Sequence, residues 1–211
     1  MMNRRTNLFL CCAVLVLGTL ARPVPVAAGE ARAHDGFFMR LSTGFGAARA
    51  KLEDSGSSAE LKGAAEDVNL AFGGMVGNNL ALHGTLWGWT ISDPDAKLVG
   101  SGGSTTFSTK GSLTMGALGA GLTYYVMPAN VYLSGSVGMG SLLGKDDVDG
   151  KSKTGFAMDL TAGKEWWVGD AWGLGAAADF SFFNAKNQDI VPSNESWAGP
   201  GFGIRFSATF N

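Results

Sequence analysis

The stretch Gly203-Ile204-Arg205-Phe206-Ser207-Ala208-Thr209-Phe210, close to the end of this 211-residue chain, decides the fold class. Successive side chains of a β-strand point to opposite faces. A strand here therefore has one apolar, aromatic face and one face that carries Arg205 and two hydroxyl groups. A soluble core has no good place for such an arginine, whereas a membrane barrel puts lipid on the apolar face and a polar interior on the other. The stretch predicts a strand of a membrane-spanning β-barrel.

Seven other segments alternate in the same way. With the terminal stretch they give eight strands, near residues 36–47, 67–77, 79–91, 109–126, 131–144, 154–168, 172–183 and 198–210. Long connections at 48–66, 92–108, 145–153 and 184–197 alternate with short turns at 77–79, 127–130 and 169–171. This alternation is typical of outer-membrane barrels that keep the short turns and both termini on the periplasmic side. We therefore predict an all-β fold, an eight-stranded antiparallel up-and-down transmembrane β-barrel.

Two parts of the pattern are less regular. The fourth strand shifts its alternation around residues 117–119, which indicates either a β-bulge or a lightly filled region of the barrel. Residues 59–66, in the first long connection, have the composition of a short helix, although Gly63 weakens it.

The composition limits the compartment and the class of partner. The chain has 32 glycines, two cysteines and a net charge of −2, so no basic excess points to nucleic acid. Residues 1–33 have the pattern of a secretory signal peptide, with basic Arg4-Arg5, an apolar run at 8–20 and cleavage after Ala28 or Ala33. Both cysteines lie in this segment, so we expect the mature domain, residues 34–211, to contain no disulfide.

Charged residues fall in the middle of several predicted strands. On the lipid face a mid-membrane Arg or Lys costs about 2–4 kcal/mol, so these side chains are expected in the lumen, where buried charges need partners. We predict that Arg205 pairs with Asp179 on the neighbouring strand, that Arg40 lies beside Arg205, and that Glu165 joins from the periplasmic side. The predicted lumenal ion network is Arg40, Asp159, Glu165, Asp179 and Arg205. Because eight strands leave an interior just filled by side chains, we interpret this network as a plug.

Aromatic residues gather towards the ends of the predicted strands. Their amphipathic rings prefer the headgroup level of a bilayer, and two belts are expected of a spanning barrel. A soluble sandwich, the alternative, buries its aromatic residues in mid-strand. The predicted interface aromatics are Trp87, Trp89, Tyr124, Trp166, Trp172 and Trp197.

The chain resembles the small eight-stranded bacterial outer-membrane barrels, the group that includes the membrane domain of outer-membrane protein A. The resemblance covers essentially the whole predicted mature domain and is carried by the strand pattern and by the terminal assembly signal, Gly203, Phe206, Ala208 and Phe210, after which one extra residue, Asn211, follows. It implies integral localisation in the outer membrane. The implied partners are outer-membrane lipid, lipopolysaccharide and, during insertion, the barrel-assembly machinery.

Two local motifs suggest chemistry. His83-Gly84-Thr85 resembles the His-x-Ser pair of lipid A deacylases, but threonine replaces serine and no acid is obviously aligned with it. The acidic runs at 93–95 and 146–149 carry oxygen ligands that divalent cations prefer, without the spacing of an EF-hand. We therefore expect no enzyme activity, no metal site and no cofactor.

The sequence favours a structural or surface-interaction role through the long loops, with an unidentified surface ligand. One alternative is a narrow pore or carrier for small or hydrophobic solutes, and another is a lipid-modifying enzyme. A secreted soluble barrel of the lipocalin kind, the third alternative, requires an apolar interior and a polar exterior.

Overall fold

The computed structural model describes residues 34–54, 56–188 and 195–210. The predicted signal peptide with its two cysteines, and Asn211 of the terminal signal, lie outside these ranges. In the described part of the chain no helix is long and apolar enough to cross a membrane. The strands are β1 (Phe37–Asp54), β2 (Ser57–Gly77), β3 (Leu80–Ser92), β4 (Asp95–Gly100), β5 (Gly103–Ser108), β6 (Gly111–Val126), β7 (Val131–Asp146), β8 (Gly150–Lys151), β9 (Gly155–Trp167), β10 (Trp172–Lys186) and β11 (Ser196–Phe210).

Eight of these strands form a closed antiparallel ring in the order β1-β2-β3-β6-β7-β9-β10-β11. The ring closes because β11 pairs with β1 along nearly its whole length, from Met39 opposite Phe210 to Leu52 opposite Trp197. The predicted eight-stranded up-and-down barrel is therefore confirmed. We call the end with residues 37 and 210 the terminal end, and the opposite end the annex end.

The two faces of the barrel wall differ in the way that the terminal strand predicts. Phe202, Ile204 and Phe206 of β11 are 58%, 51% and 56% exposed, whereas the intervening Arg205 is 1% exposed. Large apolar residues form the same kind of exposed rows on the other ring strands, among them Phe45, Val68, Leu118, Leu133, Val137 and Leu160. A continuous apolar exterior, around an interior that buries charged and hydroxyl side chains, suits a hydrocarbon surrounding and is the reverse of a lipocalin-like barrel. The fold is that of a transmembrane β-barrel.

The structure corrects the prediction at the first two long connections. Strands β1 and β2 pair without interruption from Phe37 opposite Gly74 to Asp54 opposite Ser57, so residues 48–66 form a long hairpin. Residues 59–66 are strand and not helix. The connection at 92–108 folds into the hairpin β4–β5, which pairs with β2 through Lys62 opposite Asp95 and Ser58 opposite Val99. Pairing with a neighbouring strand satisfies backbone groups and overrides a weak helix propensity.

Together these segments make a four-stranded sheet that continues the barrel wall, with β4 and β5 outside the eight-stranded ring. We call it the annex, and it consists of residues 48–54 of β1, residues 57–63 of β2, β4 and β5.

The predicted bulge in the fourth ring strand is absent. Strand β6 keeps one register against β3 from Leu80–Tyr124 to Ser92–Ser112, and one register against β7 from Gly111 to Val126. The small residues around 117–119 weaken the hydrophobic contrast between the two faces without interrupting the pairing. A register shift lies instead between Met75 and Gly77, beside the turn that joins β2 to β3.

Candidate functional site

The lumen is filled by three layers of side chains. The layer at the terminal end is aromatic, the middle layer is polar, and the layer at the annex end is apolar. The terminal layer contains Phe38, Ala71, Ala81, Tyr125, Tyr132 and Ala177. The annex-side layer contains Trp87, Trp89, Ile91, Leu113, Met115, Leu142 and Phe183 with several alanines. An eight-stranded barrel has an interior just wide enough to be filled in this way.

An arginine with three carboxylates forms the middle layer. Arg205 contacts Asp67 through Nε to Oδ1 and through Nη2 to Oδ2, the latter at 2.9 Å. It contacts Asp159 through Nη1 to Oδ1 at 3.0 Å and Nη2 to Oδ2 at 2.7 Å. The Oδ2 atom of Asp179 lies 3.5 Å from Nη2. We call these four residues the ion cluster.

The ion cluster is held by four different strands and is sealed from solvent. Arg205 lies on β11, Asp67 on β2, Asp159 on β9 and Asp179 on β10, and each is at most 7% exposed. Two forked contacts use the planar geometry of a guanidinium well. Removing the one guanidinium from this group leaves buried carboxylates without a cation, and breaking a buried ion pair costs about 3–5 kcal/mol. The cluster therefore ties the wall together across the lumen.

Gly203 explains how three carboxylates fit around one guanidinium. It lies opposite Asp179 in the β10–β11 pairing. A Cβ atom at residue 203 would be 2.8 Å from Asp179 Oδ1, so a side chain here would displace the carboxylate. The glycine that the sequence marks as part of the assembly signal thus makes room for the ion cluster.

Asp67 was not among the predicted network residues. The prediction placed it at the margin of its strand, although its spacing of two from Asn69 puts both on the lumenal face. Asn69 Nδ2 also donates to Asp159 Oδ1 at 3.2 Å. Extending the alternation of β2 by two residues from Asn69 identifies Asp67 as a lumenal residue.

Arg40 lies in the lumen but not beside Arg205, contrary to the prediction. In the β1–β11 register it is opposite Thr209, four residues along from Arg205, which corresponds to roughly 13 Å of strand. Its Nη2 donates to Ser134 at 2.9 Å and to Thr123 at 3.3 Å. Its guanidinium carbon also lies 4.5 Å from the centre of the Tyr132 ring. Hydroxyl groups and an aromatic face take the place of a carboxylate.

Glu165 belongs to the terminal layer as well. It accepts hydrogen bonds from Thr209 at 2.6 Å and from the Tyr125 hydroxyl at 3.4 Å, so these contacts, and not the ion cluster, hold it. His34 stacks on Tyr125 with ring centres 3.6 Å apart, which closes this end of the lumen.

The predicted interface aromatics divide into two groups. Tyr124, Trp166 and Trp172 lie on the exterior, 51%, 54% and 42% exposed. Trp87 and Trp89 do not lie at the lipid interface, because both are on the lumenal face of β3 and are 3% exposed. Trp197 packs against the same annex-side layer. The position of Trp87 and Trp89 near a strand end suggests an interface belt. They are, however, an even number of residues from His83 and Thr85 on the same strand, which assigns them to the lumenal face.

The other terminal-signal residues lie on the outer face of β11. Phe206 is 56% exposed, and Phe210 contacts Trp172 in an edge arrangement with ring centres 5.3 Å apart. Ala208 stands between them on the same face of the strand.

The His83 motif is enclosed within the lumen. His83 Nδ1 lies 2.7 Å from Thr85 Oγ1, and Nε2 lies 2.9 Å from Thr123 Oγ1. His83 and Thr85 are 2% and 1% exposed, so an acyl substrate has no access to the hydroxyl in this conformation. The imidazole serves as a hydrogen-bonding member of the polar wall.

The acidic loop residues bond to backbone groups. Asp93 Oδ1 accepts from the Gly111 amide and Asp147 Oδ2 from the Lys110 amide, both at 2.9 Å. Among the described residues no three His, Cys, Asp or Glu side chains come together as metal ligands.

In the annex, Lys51 donates to Glu53, and this hydrogen bond and the lysine charge lower the pKa of Glu53.

The ring and its filled lumen define a class, the closed eight-stranded transmembrane β-barrel. Comparison with solved structures finds similarity to several outer-membrane proteins. The chain is similar to the outer-membrane protein OprG from Pseudomonas aeruginosa, with 12% identity, a TM-score of 0.48 and coverage of 86% of this chain and 100% of that one. Neisserial surface protein A gives 16% identity, a TM-score of 0.45 and coverage of 81% and 96%. The outer-membrane protease OmpT from Escherichia coli gives 9% identity, a TM-score of 0.45 and coverage of 83% and 96%.

These values describe a likeness of general architecture, and we take no functional conclusion from it. Searches against protein-family models and against curated protein sequences found no match.

Proposed function

We propose that this protein is a non-conducting, non-enzymatic barrel of the bacterial outer membrane that displays the annex outside the cell for interaction with a surface ligand. The observation that carries the proposal is the combination of a lumen closed at three levels with a four-stranded sheet whose β4 and β5 lie outside the eight-stranded ring. The first feature opposes a pore, and the second provides a binding surface.

The ion cluster is the main support for a non-conducting lumen. Its guanidinium contacts three carboxylates across the middle of the barrel, and the aromatic and apolar layers cover it from either side. An ion that enters this space has to break a buried guanidinium–carboxylate contact, which costs several kcal/mol. Ion flow at a measurable rate is therefore not expected.

The annex supports the surface role. Leu98 of β4 and Phe107 of β5 are 48% and 46% exposed, and they lie on strands outside the eight-stranded ring. Ala96 pairs with both Leu61 and Phe107, so these apolar residues share the face that continues the lumenal wall. Large apolar side chains grouped on a surface outside the membrane are typical of interaction sites.

Single-cysteine labelling tests the orientation and the display. The predicted mature domain has no cysteine, so Ser104→Cys in the annex and Asn78→Cys in a short turn of the terminal end each introduce one thiol. On intact cells a membrane-impermeant maleimide is expected to label residue 104 and not residue 78. The reverse pattern, or equal labelling, contradicts the proposed orientation.

Planar-bilayer recording tests the closed lumen. Purified protein is expected to give no stepwise conductance above the bilayer background, with a general porin recorded under the same conditions as the positive control. Regular steps that scale with protein concentration contradict the proposal.

A second candidate function, binding of a small apolar ligand, is favoured by a pocket at the annex end. The pocket has a volume of about 210 Å³. It is lined by Leu52, Leu61, Leu113, Leu142, Val148 and Trp197 together with polar loop residues. Naphthalene titrated in detergent is expected to change the Trp197 fluorescence, and Trp197→Phe is expected to remove that change. An unchanged spectrum contradicts this candidate.

A further inference from the structure

Three buried polar atoms meet where the ion cluster adjoins the annex-side layer. They are Trp89 Nε1, Ser181 Oγ and Asp179 Oδ1, and each has no hydrogen-bond partner within the described protein. Their residues are 3%, 1% and 7% exposed. A buried polar atom without a partner costs about 1–3 kcal/mol, and most such atoms in folded proteins are bonded to protein or to ordered water.

The residues that carry these three atoms line a small gap beside Gly201. Gly201 lies opposite Ser181, and Gly203 lies opposite Asp179, on adjacent strands. A Cβ atom at residue 201 would be 2.7 Å from Ser181 Oγ and 3.2 Å from Trp89 Nε1. Both polar atoms therefore lie close to the backbone at residue 201, and only a glycine leaves room for them.

The gap has the size of one water molecule. Its volume is about 10 Å³, and its lining includes Trp89, Asp179, Ser181 and Gly201. A cavity of about 10–15 Å³ by this measure holds one water, provided that two to four polar groups face it. Both conditions are met here.

We propose that this gap is a binding site for a single water molecule, which accepts a hydrogen bond from Trp89 Nε1 and donates to Asp179 Oδ1 and Ser181 Oγ. The donor and acceptor pattern selects this occupant. An indole N–H only donates, so it opposes a metal cation, and a carboxylate only accepts, so it opposes an anion. Water supplies the acceptor and both donors.

The bound water links two layers of the lumen. Asp179 belongs to the ion cluster, and Trp89 packs against Phe183 in the annex-side layer with ring centres 5.9 Å apart. The water therefore fixes the orientation of the indole above the ion cluster. This site does not depend on the proposed surface role, because it rests only on contacts inside the wall.

Water-selective NMR on the full mature protein in detergent micelles tests the site through the indole N–H of Trp89, assigned with Trp89→Phe. We expect a cross-peak between this N–H and water. Gly201→Ala places a methyl group 2.7 Å from Ser181 Oγ and 3.2 Å from Trp89 Nε1, which displaces both groups from the water, and it is expected to abolish the cross-peak. Gly116→Ala is the matched control, because a Cβ atom there meets nothing within 4 Å, and it is expected to keep the cross-peak.

Absence of the cross-peak in the unmodified protein, or its persistence in Gly201→Ala, overturns the proposal. A crystal structure of the unmodified protein gives a second test that needs no variant. Density within hydrogen-bond distance of all three atoms supports the water. A direct bond from Trp89 to Ser181, or an anomalous peak at this position after soaking with rubidium, overturns it.

Discussion

Two arginines are buried in the same lumen and are stabilised in different ways. Arg205 is 1% exposed and Arg40 is 2% exposed, and both lie on strands that pair with each other. Arg205 is surrounded by three carboxylates, whereas Arg40 has two hydroxyl groups and the faces of Phe38 and Tyr132.

The difference shows how the barrel distributes electrostatic energy. In the middle layer one positive charge faces three negative charges, so the stability of each carboxylate depends on the guanidinium. In the terminal layer the Arg40 guanidinium contacts hydroxyl groups and aromatic rings, which contribute less individually, and the carboxylate of that layer, Glu165, is held by Thr209 and Tyr125. The two layers should therefore respond very differently to loss of their arginine.

The largest effect is expected from Arg205→Met. This substitution leaves three carboxylates buried together without a cation, and breaking a buried pair costs about 3–5 kcal/mol. Thermal unfolding in detergent, followed by circular dichroism and by the loss of the fast-migrating folded form on gels, measures it. An unfolding temperature equal to that of the unmodified protein contradicts the assignment of Arg205 as the centre of the lumen.

Asp159→Asn is expected to be the next largest. Asp159 accepts two hydrogen bonds from Arg205 at 3.0 and 2.7 Å, and charge-assisted hydrogen bonds contribute about 1.5–3 kcal/mol each. Relief of repulsion from the other carboxylates offsets part of this loss, so we expect a net destabilisation of about 2 kcal/mol. The double variant with Arg205→Met provides the control, since the two losses should not add if the residues act as one unit.

The period-2 pattern of each strand identifies which side chains point into the lumen, but it does not show which of them contact one another. Arg40 and Arg205 have the same pattern of neighbours along their strands, and only the register between β1 and β11 separates them by four positions. Register depends on pairing along the whole strand and cannot be read from one segment. The prediction therefore obtained the barrel and the inward direction of both arginines, but it placed Arg40 in the wrong layer.

The annex and the lumenal tryptophans, Trp87 and Trp89, also differ from the prediction. The annex forms because residues 95–99 pair with residues 58–62, a contact between segments that each look like loop. Trp87 and Trp89 were assigned by their distance from the strand end, although the alternation that identified β3 already placed them inside. The sequence does not show which distant segments pair, but its alternation does show on which face of β3 the two tryptophans lie.

Arg40→Met tests the other half of the comparison. The variant loses hydrogen bonds to Ser134 and Thr123 and a cation–π contact, but it also removes a buried charge. We expect a destabilisation of about 1–2 kcal/mol, less than half of that for Arg205→Met. The same unfolding measurements apply. If Arg40→Met lowers the free energy of unfolding as much as Arg205→Met does, the contacts of Arg40 with hydroxyl groups and rings contribute as much as the contacts of Arg205 with carboxylates. That outcome contradicts the comparison.

The smallest effect is expected from Asp179→Asn. Asp179 makes one contact with Arg205, at 3.5 Å, whereas Asp67 and Asp159 each make two shorter ones. Asparagine keeps the volume and an oxygen acceptor, and it removes one of three negative charges from around one guanidinium. The lost attraction and the relieved repulsion oppose each other, so we expect the free energy of unfolding to change by less than about 0.5 kcal/mol.

Asp179→Ala separates charge from packing at the same position. It removes the carboxylate and also the acceptor that faces Ser181 and Trp89, so it is expected to destabilise the barrel more than Asp179→Asn does. Equal effects of the two variants would show that the side-chain oxygen has no role beyond its charge. If Asp179→Asn instead lowers the free energy of unfolding as much as Asp159→Asn does, Asp179 is an equal partner of Arg205. The contact distances within the ion cluster would then not reflect how much each carboxylate contributes.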